Sequence, residues 1–142
     1  MTIKKQLDWY CINKLSSRLS PPVGLYAHNN DYRFDFMLTN KIKYSVIYDP
    51  NAYKTKHIFI QKKGVFTQRG VDSTQADFYV IVVDKDEPQS CKSIKSYDFY
   101  LISLNKLKQL IEKKLFTSFY KFCISSGYKF ELDVIKSNSA LL

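Results

Sequence analysis

Ala76-Asp77-Phe78-Tyr79-Val80-Ile81-Val82-Val83 is the stretch on which the architecture turns. From Phe78 to Val83 every residue is apolar, and Asp77 and Asp84 bracket the run. A strand with one wet face would alternate polar and apolar residues. An unbroken run of this length, rich in β-branched residues, reads as a strand buried on both faces. Such a strand belongs in the middle of a sheet that carries cover on each side.

Working outward, Ile42 to Tyr48 alternates. Ile42, Tyr44, Val46 and Tyr48 fall on one side, and Lys43, Ser45, Ile47 and Asp49 on the other. Pro50 ends that strand. Tyr32 to Leu38 is rich in strand formers, and Thr39-Asn40-Lys41 forms a tight connection between the two segments. His57 to Gln61 reads as another strand, followed by a Lys-Lys-Gly corner, and Val65 to Gln75 as a surface loop. At the N-terminus, Ile3, Leu7, Tyr10, Cys11, Leu15 and Leu19 recur at helical spacing over residues 3 to 19, and Pro21-Pro22 stops the helix. A short strand at Val23 to Tyr26 and a turn at His28-Asn29-Asn30-Asp31 follow.

Beyond the apolar run, Asp84 to Ser96 is a polar loop and Phe99 to Ile102 an edge strand. Ser103 is placed to cap a helix carrying Leu104, Leu107, Leu110 and Ile111. A second helix is expected from Phe116 to Ser125, ended by Gly127, then a last strand from Tyr128 to Ile135. The expected fold is α/β: a single mixed sheet flanked by helices on both sides. Residues 1–136 form one domain, and 137–142 a flexible tail.

The chain has 142 residues and a net charge of +9, with Arg only at Arg18, Arg33 and Arg69. A basic surface draws polyanions by releasing their counterions, and nucleic acid is the first partner to expect. No stretch is apolar over the ~20 residues that a membrane span needs, so a membrane partner is not expected. Cys11, Cys91 and Cys123 are dispersed, with no C-x-x-C pair. They fit neither a zinc site nor a disulfide framework. Together with an N-terminus lacking a secretory signal, this points to an intracellular protein.

Four segments carry a resemblance. Arg33-Phe34-Asp35-Phe36, Tyr44-Ser45-Val46-Ile47-Tyr48-Asp49-Pro50, Thr55-Lys56-His57-Ile58-Phe59-Ile60-Gln61 and Gly70-Val71-Asp72-Ser73-Thr74-Gln75-Ala76-Asp77-Phe78-Tyr79-Val80 follow one another as strands do in PD-(D/E)XK nucleases. Phe99 to Ile102 and the Leu104 to Ile111 helix resemble the elements that close that family's core. The resemblance covers Asp31 to Ile111 and implies a restriction-endonuclease-like core.

It also implies a site. In the family two carboxylates on neighbouring strands hold Mg²⁺, and a lysine two residues past the second prepares the attacking water. Asp35 stands at the first carboxylate. Ile47 stands at the second and Asp49 at the lysine, so on this register the metal ligands reduce to Asp35 and Asp49. A second register reads Gln61-Lys62-Lys63 as the motif, with Gln61 replacing the carboxylate and Lys63, or Lys43, as the cation. The resemblance thus implies nucleic-acid binding, DNA before RNA, with weak or absent cleavage and Mg only if the site is active. A homodimer or a protein partner goes with such small domains. Two alternatives stand beside it: an active Mg-dependent endonuclease of phage or mobile-element type with a migrated site, and a basic structural subunit of a nucleoprotein assembly.

Overall fold

The computed structural model describes residues 2–18, 34–63, 70–72, 74–87, 93–121 and 125–142, with backbone alone at 63, 118–121, 125 and 126. The expected strand at Val23 to Tyr26, the turn at His28 and most of the 65–75 loop lie outside these residues.

The long apolar run forms β4 (Phe78–Asp84), with β2 (Lys43–Tyr48) on one side and β5 (Tyr97–Ser103) on the other. Its β2 pairing is parallel, from Tyr44 opposite Phe78 to Tyr48 opposite Val82. Its β5 pairing is antiparallel over the whole strand. A two-residue β1 (Phe36–Met37) flanks β2, and β8 (Ala140–Leu141) flanks β5, giving a mixed sheet in the order β1-β2-β4-β5-β8. Asp77 sets the start of β4. Its carboxylate accepts from Lys43 N at 2.8 Å, its N–H donates to Lys43 O, and its carbonyl accepts from Leu104 N.

The alternation read in β2 is realised. Ile42, Tyr44, Val46 and Tyr48 pack with Val80 and Val82 against Leu7, Cys11, Ile12 and Leu15 of α1 (Ile3–Ser16). On the opposite face Tyr79, Ile81 and Val83 meet a second cover. That cover is α3 (Leu104–Glu112), capped by the Ser103 hydroxyl accepting from Lys106 N at 3.1 Å, together with a further sheet.

The single sheet expected from sequence is therefore two. A three-stranded antiparallel sheet, in the order β3-β7-β6, is built from β3 (His57–Lys63), β6 (Thr117–Lys121) and β7 (Ser125–Glu131). A parallel β2–β4 pair needs a crossover. This one runs through a short helix, α2 (Ala52–Thr55), and then β3. The expected helix at 116–125 is β6 and the start of β7. Aromatic runs fit a pleated surface as readily as a helix face, and short ones carry no decisive period. Phe116, just ahead of β6, packs edge-on to Tyr128 at 4.7 Å. The strand expected at 128–135 stops at Glu131, and Leu132 and Ile135 of α4 (Leu132–Ser137) turn into the core. Residues 137–142, expected to be a flexible tail, end α4 and pair Leu141 with Tyr100 and Ala140 with Leu101.

Gly127 does not terminate a helix. It lies inside β7, opposite Gln61. A Cβ there would collide with the Phe59 ring and stand 2.8 Å from the Ile60 carbonyl, so the position must stay bare. Gly127→Ala is expected to cost about 1–3 kcal/mol through overpacking. In denaturant titrations, adding Phe59→Leu to that variant should recover part of the loss, because the backbone contact at Ile60 remains. An unchanged midpoint for Gly127→Ala would contradict this packing.

Candidate functional site

β1 pairs with β2 at Tyr44 and Lys43, and no other described strand lies along that side of β2. Its backbone groups at Val46 find side chains instead. Asp35 Oδ2 accepts from Val46 N at 2.6 Å. Lys4 Nζ donates to Val46 O at 3.0 Å. The carboxylate and the ammonium thus satisfy backbone groups that no described strand reaches. They also meet each other, with Lys4 Nζ 3.1 Å from Asp35 Oδ2. Lys4 makes a further pair at 2.8 Å with Asp8 Oδ1, one helical turn along α1. Asp8 and Asp35 are each 5 % exposed. The Lys4 side chain is 40 % exposed, so its stem reaches in from the surface.

Beside this cluster lies a cleft of about 520 Å³ between the start of α1, β2 and β3. Lys4, Asp35, Ser45, Ile47, Gln61 and Tyr79 are among its lining residues. The Ser45 hydroxyl on its wall is buried with no hydrogen-bond partner among the described residues. Burial pushes the Tyr79 phenol up; its hydrogen bond with the Thr74 side chain opposes this and the Asp35 charge adds to it. The Cys11 thiol, on the inner face of α1, is pushed up chiefly by burial. Asp8 adds to that rise, Lys4 counters it, and Asp35 adds a smaller push.

The residues read from sequence separate into two groups. Asp35 and Gln61 line the same cleft. Gln61 reaches it at a β-bulge, where β3 shifts register between Gln61 and Lys63 against β7. Asp49 lines a neighbouring cleft of about 460 Å³ with His57 and Lys129. Its carboxylate is engaged with local backbone, accepting from Asn51 N at 2.9 Å and Phe59 N at 3.4 Å. Asp35 and Asp49 are therefore not presented to one cleft, and as a pair they do not fit a Mg²⁺ site. Lys63 belongs to β3 by its backbone, and its side chain lies outside the described residues. Ile47 turns toward the second cover and packs against its core. Lys43 pairs with Met37, with its ammonium 5.5 Å from the Phe34 ring centroid. His57 bonds within its own turn, Nδ1 to Thr55 O at 2.7 Å, as an ordinary strand-end histidine would. No group of three or more His, Cys, Asp or Glu among the described residues could hold a metal. No helix among them is long and apolar enough to cross a membrane.

Sequence reading passed over Lys4, Asp8, Ser45 and Tyr79. The spacing of Lys4 and Asp8 was visible, but an i,i+4 pair at a helix start reads as solvated surface until β2 is placed beside it. No family model, no curated protein and no solved structure matches this chain.

Asp35→Ala leaves the buried Val46 N–H without its acceptor and is expected to cost about 1–3 kcal/mol of stability. Asp35→Asn retains an oxygen for Val46 N–H and should cost less. Equal losses for the two variants in urea unfolding would show that the backbone contact is not what Asp35 supplies.

Proposed function

We propose that this chain binds nucleic acid, duplex DNA before RNA, on a restriction-endonuclease-like scaffold whose cleavage activity is weak or lost. The observation that carries the reading is the net charge of +9 on 142 residues, supplied mainly by lysine. Lysine ammoniums grip phosphates as point charges and position a duplex without reading its bases. Lys114 and Lys129 line a shallow cleft of about 270 Å³ with His57 and Thr117, a place where a phosphate oxygen would find donors, although Glu131 shares it.

Weak cleavage follows from the residues around Asp35. The family's chemistry needs a second carboxylate beside the first and a cation aimed at the water. Ile47 supplies no ligand, and Asp49 faces the neighbouring cleft. The Asp35 carboxylate is engaged by Lys4 and Val46 N. An active enzyme on the Gln61 register is the second reading, and the shared cleft of Asp35 and Gln61 favours it over a site built on Asp49. A protein partner or a homodimer remains part of the proposal.

Fluorescence anisotropy with a labelled duplex tests the first reading. Log affinity should fall linearly with log salt, by about 0.9 for each phosphate neutralised. No binding at low salt would sink it. Plasmid nicking with Mg²⁺ tests the second reading, with nicking expected to be absent or slow and abolished by Asp35→Ala. Fast nicking that survives Asp35→Ala would contradict both the register and the inactivity.

A further inference from the structure

Two clefts beside the β3-β7-β6 sheet meet at shared side chains. The larger, of about 460 Å³, is lined by Tyr48, Asp49, Pro50 and Phe59 among others. The smaller, of about 270 Å³, has Lys114, Thr117 and Glu131 in its lining. His57 and Lys129 line both. The strand register explains the junction. Lys129 lies opposite Phe59 on one side and Thr117 on the other. Phe59, Lys129 and Thr117 therefore form one row across the sheet, about 4.8 Å per strand, on a single face. The row passes from an aromatic ring through an ammonium to a hydroxyl.

Lys114 supplies an independent observation. Leu115 N donates to Leu110 O at 3.1 Å and Lys114 N to Ile111 O at 2.9 Å, the Schellman pattern that closes α3. Lys114 stands at φ 57°, in the left-handed region. Glycine takes this position without strain, and a β-carbon strains it. A lysine here accepts that strain and brings an ammonium to the smaller cleft. The described lining of that cleft then holds two ammoniums against the one carboxylate of Glu131. His57 adds a ring anchored through Nδ1 to the Thr55 carbonyl at 2.7 Å.

We propose that the paired clefts bind one nucleoside monophosphate unit, with its phosphate at Lys114, Lys129 and Thr117 and its base against Phe59 and Tyr48. A phosphate monoester carries about −1.5 to −2 charges at pH 7 and takes ammonium and hydroxyl donors. A base offers a flat apolar face to an aromatic ring. The larger cleft lies within the roughly 300–1,000 Å³ of small-molecule sites. Asp49 selects bases that carry an exocyclic amine. Its oxygens each accept one backbone N–H, from Asn51 and Phe59, and each has a second lone pair. The unit is either a free nucleotide or the phosphorylated end of a strand, and the second source rests on the nucleic-acid reading above. The cleft beside Asp35 takes no part.

Calorimetric titration of the native chain with AMP, adenosine and inorganic phosphate tests the site. AMP should bind at least about tenfold tighter than either fragment, because it alone fills both clefts. Lys114→Gly should weaken AMP about three- to tenfold, while its midpoint in urea holds or rises as the strain is relieved. Lys113→Gln removes the same charge one residue earlier, outside both linings, and should leave AMP affinity intact. Phe59→Leu should weaken AMP and leave phosphate unchanged. A 5′-phosphorylated oligonucleotide that displaces AMP, while its 5′-hydroxyl form does not, makes the strand end the source. Displacement by neither makes it the free nucleotide. AMP binding by a chain with no duplex affinity supports the site while the general nucleic-acid reading fails. Overturning results are no AMP binding, phosphate binding as tight as AMP, equal losses in Lys114→Gly and Lys113→Gln, or equal displacement by the two oligonucleotide forms.

Discussion

Everything in this fold answers to one strand that cannot be wetted. β4 carries apolar side chains on both faces, so it needs two covers. One is α1, laid on Val80 and Val82. The other is larger, because Tyr79, Ile81 and Val83 must be roofed by α3, α4 and the β3-β7-β6 sheet together. Burying those side chains drives the fold at roughly 25 cal/mol per Å² of apolar surface. Both covers meet at the outer edge of β2, and the cleft with Lys4, Asp35 and Gln61 lies at that seam.

Position at the seam explains the chemistry. Past Tyr44, no described strand lies on the outer side of β2, and the polar backbone groups of Val46 are paired by side chains. Asp35 and Lys4 pair them at Val46 and in doing so place charge beside a buried wall. A paired charge in such a place is stable only while its partner stays. Structure and site are thus not separable here.

Legibility in the sequence followed local chemistry. β4 was readable because no polar residue interrupts Phe78 to Val83. β2 was readable because its alternation is strict, and α3 because Ser103 and the leucine spacing agree. The β6–β7 hairpin was not readable, since Phe116, Phe119, Tyr120 and Cys123 satisfy helical spacing and the pairing of β7 with β3 is set by residues some seventy positions away. Gly127 was misread for the same reason. Its bareness is required by Phe59, a contact that no local pattern encodes. The pairing of Ala140 and Leu141 with β5 likewise depends on a distant strand edge. At the site, Asp35 and Gln61 are singled out by the sequence, whereas Lys4 and Asp8 carry no local signal that would mark them. Asp49 was joined to Asp35 by strand arithmetic, but Pro50 and Asn51 turn the chain there and its carboxylate is spent on that turn.

Asp35 and Lys4 complete the edge of β2 at Val46, and this pairing is the constraint on which the site depends. Amide hydrogen exchange at Val46 in an isotope-labelled sample reads it directly. Faster exchange at Val46 in Asp35→Ala than in Asp35→Asn, with the β4 amides unchanged, is the expected result. Equal exchange at Val46 in Asp35→Ala and the native chain would contradict it.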